Sequence, residues 1–320
     1  MTLKERFENN SLVRGTVRIL RDIKPPGFGG VSLFEVLRFF FVGLFEGFVT
    51  TRASAIAFSF FMAIFPFTLF LLTIIAYIPI DNFQEELLLL IQDVVPPNSY
   101  SAIESTIMDI LSNRRGGLLS LGFVLALFFA NNGVNAIITG FYQSYHKVEF
   151  RNFFSQIGVS LGLTITLSFL FILSIALIIF SEVGLSYLQN IDFISRFNSQ
   201  LLGIAKWLIV LLLVFYSLSL LFYYGPAKQR QYHFITPGGI LATVLLLISS
   251  YVFSFYVSNF ASYNKLYGSI GTLLIILVWI WINSLSLLIG FELNASIRQA
   301  LRERRGNEEI KLKKQNEPVK

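Results

Sequence analysis

Residues 256–294 read YVSNFASYNKLYGSIGTLLIILVWIWINSLSLLIGFELN, and from about Gly268 to Leu293 only Glu292 is charged. A helix that crosses about 30 Å of hydrocarbon needs about 20 apolar residues. This run exceeds that length, so the chain reads as a membrane protein. The rest of the composition agrees: 54% of the residues are hydrophobic, 14% are charged and 34 of 320 are Phe. An ordinary soluble domain is far less apolar.

Working outward, six segments are long and apolar enough to cross: Ala53 to Ile78, Leu118 to Tyr142, Gln156 to Phe180, Leu201 to Tyr224, Thr236 to Ser258 and Gly268 to Leu293. All are read as helices, because an unpaired strand edge is too costly in lipid. The expected fold is an all-α integral membrane protein with six transmembrane helices, an interfacial N-terminal helix and amphipathic helices in the first outer loop.

The basic residues orient this arrangement. Twenty of the 25 Lys and Arg residues fall in the N-terminal region, the second and fourth connections and the C-terminal tail. Both termini are therefore expected to be cytoplasmic. The net charge of +6 flanks apolar runs and points to topology and anionic headgroups rather than to nucleic acid. There is no Cys, which excludes disulfides and thiolate chemistry. The N-terminal residues lack the apolar core of a cleavable signal, so the first span is expected to direct insertion.

Three units follow: a basic cytoplasmic amphipathic segment over residues 1–30, a six-span membrane domain over 31–300 with an outer helical loop at 81–117, and a charged cytoplasmic tail over 301–320. Within the first, Asn10 to Asp22 carries Arg14, Arg18 and Arg21 opposite apolar positions, and Pro25, Pro26 and Gly27 break the chain after it. The run 32–49 carries Glu35, Arg38 and Glu46 near one face. It reads as an interfacial or re-entrant helix in preference to a seventh crossing. In the outer loop, Pro96 and Pro97 separate two short amphipathic segments. The tail from Arg302 has no apolar face and reads as largely disordered after one or two helical turns.

Candidate site residues are few. Asn131, Asn132 and Asn135 put three carboxamides on one side of the second span, and Asn283 with Ser284 sits at similar depth in the last. These groups either bond neighbouring helices to one another or line a polar cavity for substrate. Glu292 either reaches headgroups or Arg298, or forms a buried pair with Arg52, which enters the first span from the same side. Together Arg52, Glu292 and Arg298 are candidates for a cytoplasmic gate or ion pair. Pro66 is expected to kink the first span, and Gly158 with Gly162 to permit close helix packing in the third. His146 and His233 sit singly in connections. No metal-ligand spacing, nucleophile elbow or phosphate loop is present, so no catalytic residue, metal or cofactor is expected.

The segments YVSNFASYNKLYGSIGT with LLIILVWIWINSLSLLIGFELNA (256–295), ASAIAFSFFMAIFPFTLFLL (53–72) and NAIITGFYQSYHKVEFRNFFSQ (135–156) resemble the YihY/BrkB family of bacterial membrane proteins, over roughly Phe34 to Ala300. The resemblance implies a multi-pass inner-membrane protein with six spans and cytoplasmic termini. Family members have carried a ribonuclease name, against which the lack of clustered metal ligands argues, and virulence-factor names, which describe a phenotype. A transport role for lipid or another amphiphile is implied as the leading function. The alternative is a non-transporting scaffold or envelope-integrity factor that recruits partners. Membrane lipids are the expected partners, with anionic headgroups at the cytoplasmic face; homo-oligomerisation is left open.

Overall fold

A computed structural model describes residues 11–77, 105, 107–110, 113, 115–146, 149–189, 196–227, 234–259 and 263–316, and among them there is no strand. The helices are α1 (Ser11–Asp22), α2 (Leu33–Glu46), α3 (Val49–Ile75), α4 (Gly116–Tyr142), α5 (Phe153–Gln189), α6 (Arg196–Tyr224), α7 (Pro237–Asn259) and α8 (Tyr263–Asn316). Helices α3 to α8 supply six segments long and apolar enough to cross a membrane. They correspond to the six expected spans. Most of the outer loop at 81–117 lies outside the described residues; in the part that is described, Ile107 and Ile110 are buried and Arg115 pairs with Asp109 at 2.7 Å.

Helix α2 is 14 residues long, about 21 Å at 1.5 Å per residue, too short to cross. It starts at a capping box in which Ser32 Oγ accepts from the Glu35 amide and Glu35 Oε2 from the Ser32 amide. Phe48, in the left-handed region at φ 47°, turns the chain directly from α2 into α3. Val36, Phe39 and Gly43 are buried, with Val36 and Phe39 packing beside Ile297 and Ala300 of α8, whereas Phe41 and Phe45 are exposed. Helix α1 leans on α2, where Arg21 stacks over Phe34.

The expectation of a largely disordered tail is corrected. Helix α8 continues unbroken to Asn316. Its Arg, Glu, Lys and Leu residues are strong helix formers, Leu301 packs beside α2, and Arg304 bonds both Glu308 at 3.0 Å and the Gly30 carbonyl at 2.9 Å.

Spans adjacent in sequence pack together, and α8 returns to α3, so the six form a closed ring. The most extensive seam, α3 with α4, exists because Gly122, Gly133 and Gly140 let Phe70, Phe60 and Ile56 approach; a Cβ at any of them would stand 3.0–3.3 Å from those residues. Pro66 lies inside α3, and the helix runs through it. The proline removes the amide that would otherwise bond the Met62 carbonyl.

Burial divides the ring into two halves. At the proximal end, where α3 begins and α8 leaves with its charged extension, Ile56, Ile138, Phe222, Leu288 and Phe291 are essentially inaccessible. Phe141 stacks on Phe291 at 4.0 Å and meets Phe222 at 5.7 Å. In the distal half, no residue is buried in 58–72 of α3, 203–217 of α6, 244–257 of α7 or 272–283 of α8, whereas Thr73, Gly122, Ala126 and Leu170, on the α3–α4–α5 side, are buried.

Candidate functional site

Arg52, one turn inside α3, is 4% exposed, and Glu292 of α8 is fully buried. They form an ion pair at 2.5 Å. The second guanidinium nitrogen, Nη1, donates to the Gly140 carbonyl of α4 at 2.8 Å, while Nε has no partner. The other carboxylate oxygen of Glu292 accepts from Ser144 Oγ at 2.9 Å. The pair thus joins three helices and the chain leaving α4. A buried charge is tolerable in this way only when its partner and additional hydrogen bonds compensate it.

Of the alternatives for Glu292, headgroup contact is therefore excluded and the pair with Arg52 is formed. The carboxylate lies on the inward face of α8, and α2 covers it. A Cβ on Gly43 would stand 2.9 Å from Glu292 Oε2 and 3.1 Å from His146 Nε2, so only glycine seats α2 there. Arg298 is half-buried and directs Nε toward the Asn294 carbonyl at 3.4 Å.

His146 completes the cluster. It is 5% exposed, its ring meets Phe39 edge-on, and its Nε2 lies 3.1 Å from the Phe39 carbonyl and 3.2 Å from Ser296 Oγ. The carbonyl can only accept, and Ser296 gives its own proton to the Glu292 carbonyl at 2.7 Å. The proton of neutral His146 is therefore on Nε2, leaving Nδ1 unprotonated. Burial holds the imidazole below its usual range; the Glu292 charge and the Phe39 carbonyl oppose this, and Arg298 adds to it. Sequence reasoning missed this residue, because a lone His in a connection carries no signal until α2 and α8 are placed around it.

A second junction reinforces the proximal end. Gly238 of α7 crosses Gly290 of α8 so closely that a Cβ on Gly238 would stand 2.0 Å from the Gly290 carbonyl oxygen. Asn294 accepts from the Gly238 amide and donates to Thr236 Oγ1, both at 2.9 Å, and Thr236 caps the Gly239 amide. Arg151 donates to the carbonyls of Tyr224 and Pro226, where α6 ends and a cation is favourable.

The carboxamides do not converge. Asn135 accepts from Gln156 at 2.7 Å and Asn131 lies 3.4 Å from Thr164 Oγ1, so both serve the α4–α5 seam. Asn283 donates to the Trp279 carbonyl and Ser284 to that of Ile280, each within α8, so Asn283 is not bonded to the α4 amides. Asn132 is half-buried. The packing role expected of Gly158 and Gly162 is also corrected: nothing stands within 4 Å of a Cβ on either. Gly162 instead lines an open cleft of about 350 Å³ with Val159, Leu163, Thr166, Leu220 and Tyr224. A larger apolar groove of about 740 Å³ separates α6 from α7 in the distal half, lined by Gly203, Ile204, Trp207, Leu208, Leu211 and Leu247. Lys206 lies over the Trp207 ring at its edge. Among the described residues, no three His, Asp or Glu side chains group as a metal site would require.

A six-span helical ring closed at one end around a buried ion pair defines a multi-pass membrane protein. Residues 30–315 match the virulence factor BrkB family, and the chain belongs to it. It is 33% identical over 250 residues to YfkH of Bacillus subtilis, a protein whose name describes it as ribonuclease-like, covering 78% of this chain and 90% of that one. UPF0761 membrane proteins of Vibrio campbellii and Mannheimia succiniciproducens are 27% and 25% identical, over 78% and 77% of this chain and 77% and 84% of their own. No solved structure matches.

Proposed function

We propose that this protein moves or harbours a lipid or similar amphiphile in the bilayer of the bacterial inner membrane, with both termini cytoplasmic. One observation carries the reading: the ring of spans is tightly filled at its proximal, basic end, whereas long distal stretches of α3, α6, α7 and α8 hold no buried residue. Helices whose only task is to pack together would bury residues along their full length. A ring shut on one side and loose on the other suits a protein that admits a ligand from the outer leaflet and holds it back from the cytoplasm. The apolar groove between α6 and α7, with a cation–π pair at its edge, favours a ligand with an acyl chain and an anionic group. The basic N-terminal helix favours anionic headgroups on the cytoplasmic face. On this reading the protein is not an enzyme and has no nucleic-acid partner; the buried carboxylate nearest the basic surface is already engaged by Arg52.

Vesicles carrying the purified protein and a fluorescent anionic phospholipid test this, with dithionite quenching reporting movement between leaflets. Faster exchange than in empty vesicles is expected. Exchange equal to that in empty vesicles, together with a nanodisc structure whose distal half is filled by its own side chains, would reject it. A second reading, a scaffold, is favoured by the charged continuation of α8 to Asn316. Capture of a partner that is lost on deleting residues 305–316, with no lipid exchange, would put it first. Hydrolysis of RNA by the purified chain would revive the nuclease reading.

A further inference from the structure

We propose that His146 is a proton-binding site that controls the proximal closure: binding of a proton at Nδ1 displaces α2 from the Arg52–Glu292 pair and opens that end of the ring. This deepens the transport reading, and rests on it for its purpose.

The argument is one of charge balance in a closed space. In the structure one cation, Arg52, faces one anion, Glu292, and neutral His146 donates its single N–H to the Phe39 carbonyl of α2. A proton on Nδ1 makes the imidazole a second cation beside the same single carboxylate. The groups facing it cannot absorb that charge. From α3 comes Arg52, and from α8 come Glu292 and Arg298, the latter further opposing a positive imidazole. From α2 come the Phe39 carbonyl and Arg38, which lies over the Phe39 ring at 5.1 Å; the chain after α4 supplies Tyr145, edge-on at 5.6 Å. The surplus positive charge is buried, and water is its only remaining source of compensation.

The element that separates the cluster from water is α2. It sits on Glu292 and His146 through Gly43, where a Cβ would press on both the carboxylate and the imidazole. It is joined at one end to glycines at positive φ and at the other to Gly47 and the left-handed Phe48. Lifting it hydrates His146 and the ion pair together. Arg52 Nε, buried and unbonded, leaves the guanidinium a spare donor with which to hold Glu292 in a second arrangement.

The absence of Cys makes the test clean. Ala300→Cys places a thiol beneath α2, where Ala300 is 3% exposed, and Arg305→Cys supplies an exposed control that removes the thiolate's own pH dependence. Maleimide labelling is followed in nanodiscs at pH 8 and pH 5.5. The ratio of the buried to the exposed rate is expected to rise about tenfold on acidification. His146→Gln, which keeps a donor for Phe39 but cannot be charged, is expected to hold the ratio low at both values. Glu292→Gln, which leaves Arg52 unbalanced, is expected to hold it high. A wild-type ratio that ignores pH, or a response that survives His146→Gln, overturns the proposal, and the second result does so even if Glu292→Gln fails to fold. Because labelling reports only the seat of α2, a flat response with lipid exchange intact rejects proton control alone. A pH response without lipid exchange rejects transport as its purpose.

Discussion

The two halves of the ring are built from nearly the same apolar residues and differ in what lies between their helices. Proximally, Gly238 and Gly290 touch backbone to backbone, Phe141 stacks on Phe291, and an ion pair is sealed inside. Distally, Leu208, Leu212, Leu247 and Val252 remain exposed. In lipid an exposed Leu carries little penalty, because the surrounding tails are as apolar as a protein core. Hydrophobicity therefore does not decide which half closes. Close packing and polar bonds do, and the proximal half has both.

The largest effect is expected where the closure depends on two backbones meeting. Gly238→Leu puts atoms where the Gly290 carbonyl and the Asn294 carboxamide stand, and the carbonyl, being backbone, cannot swing aside. A cost of about 4 kcal/mol or more is expected, seen as loss of the monodisperse species in detergent. Next comes Glu292→Ala, which leaves Arg52 buried without its counter-charge, at about 3–5 kcal/mol. Replacing both members with Met should recover most of that loss, since the desolvation of two charges is avoided. If the double variant is no more stable than Glu292→Ala, the pair is not what holds the proximal half together.

A smaller effect depends on pH. His146 is kept neutral by burial, below its ordinary 6.5, so below that pH the closed form binds fewer protons than a form with the imidazole in water. Its contribution is fully present above about pH 6.5 and is lost as pH falls, by at most about 1.4 kcal/mol per unit. Thermal melts from pH 7.5 to 5.5 should show this slope in the wild type and lose it in His146→Gln.

The six spans were legible because each is a long apolar run bounded by charge, and α2 was legible as non-spanning from Glu35, Arg38 and Glu46. The pairing of Arg52 with Glu292 was legible only as an alternative: the residues enter from the same side, but 240 positions separate them and nothing local says that α8 returns to α3. Gly158 and Gly162 misled because a GxxxG pattern marks a face open to close approach without saying whether a neighbour arrives. The closest crossing was instead made by Gly238 and Gly290, which lie in different helices and form no pattern along the chain. The tail's charge argues for disorder only where helix propensity is left aside: Arg, Glu and Lys are good helix formers, and Leu301 and Arg304 attach its root to α2 and Gly30.

The smallest stability effect is expected at Gly203, and it separates the halves most sharply. Nothing lies within 4 Å of a Cβ there, and the residue borders the groove between α6 and α7. Gly203→Leu should change stability by no more than about 0.5 kcal/mol, since the added atoms meet space that lipid otherwise fills. The same atoms occupy the groove. If an acyl chain uses it, lipid exchange in vesicles should fall while the melt stays where it was, a combination that no proximal substitution can give. If neither changes, the distal looseness is only a surface that faces lipid, and the proximal closure seals nothing that moves.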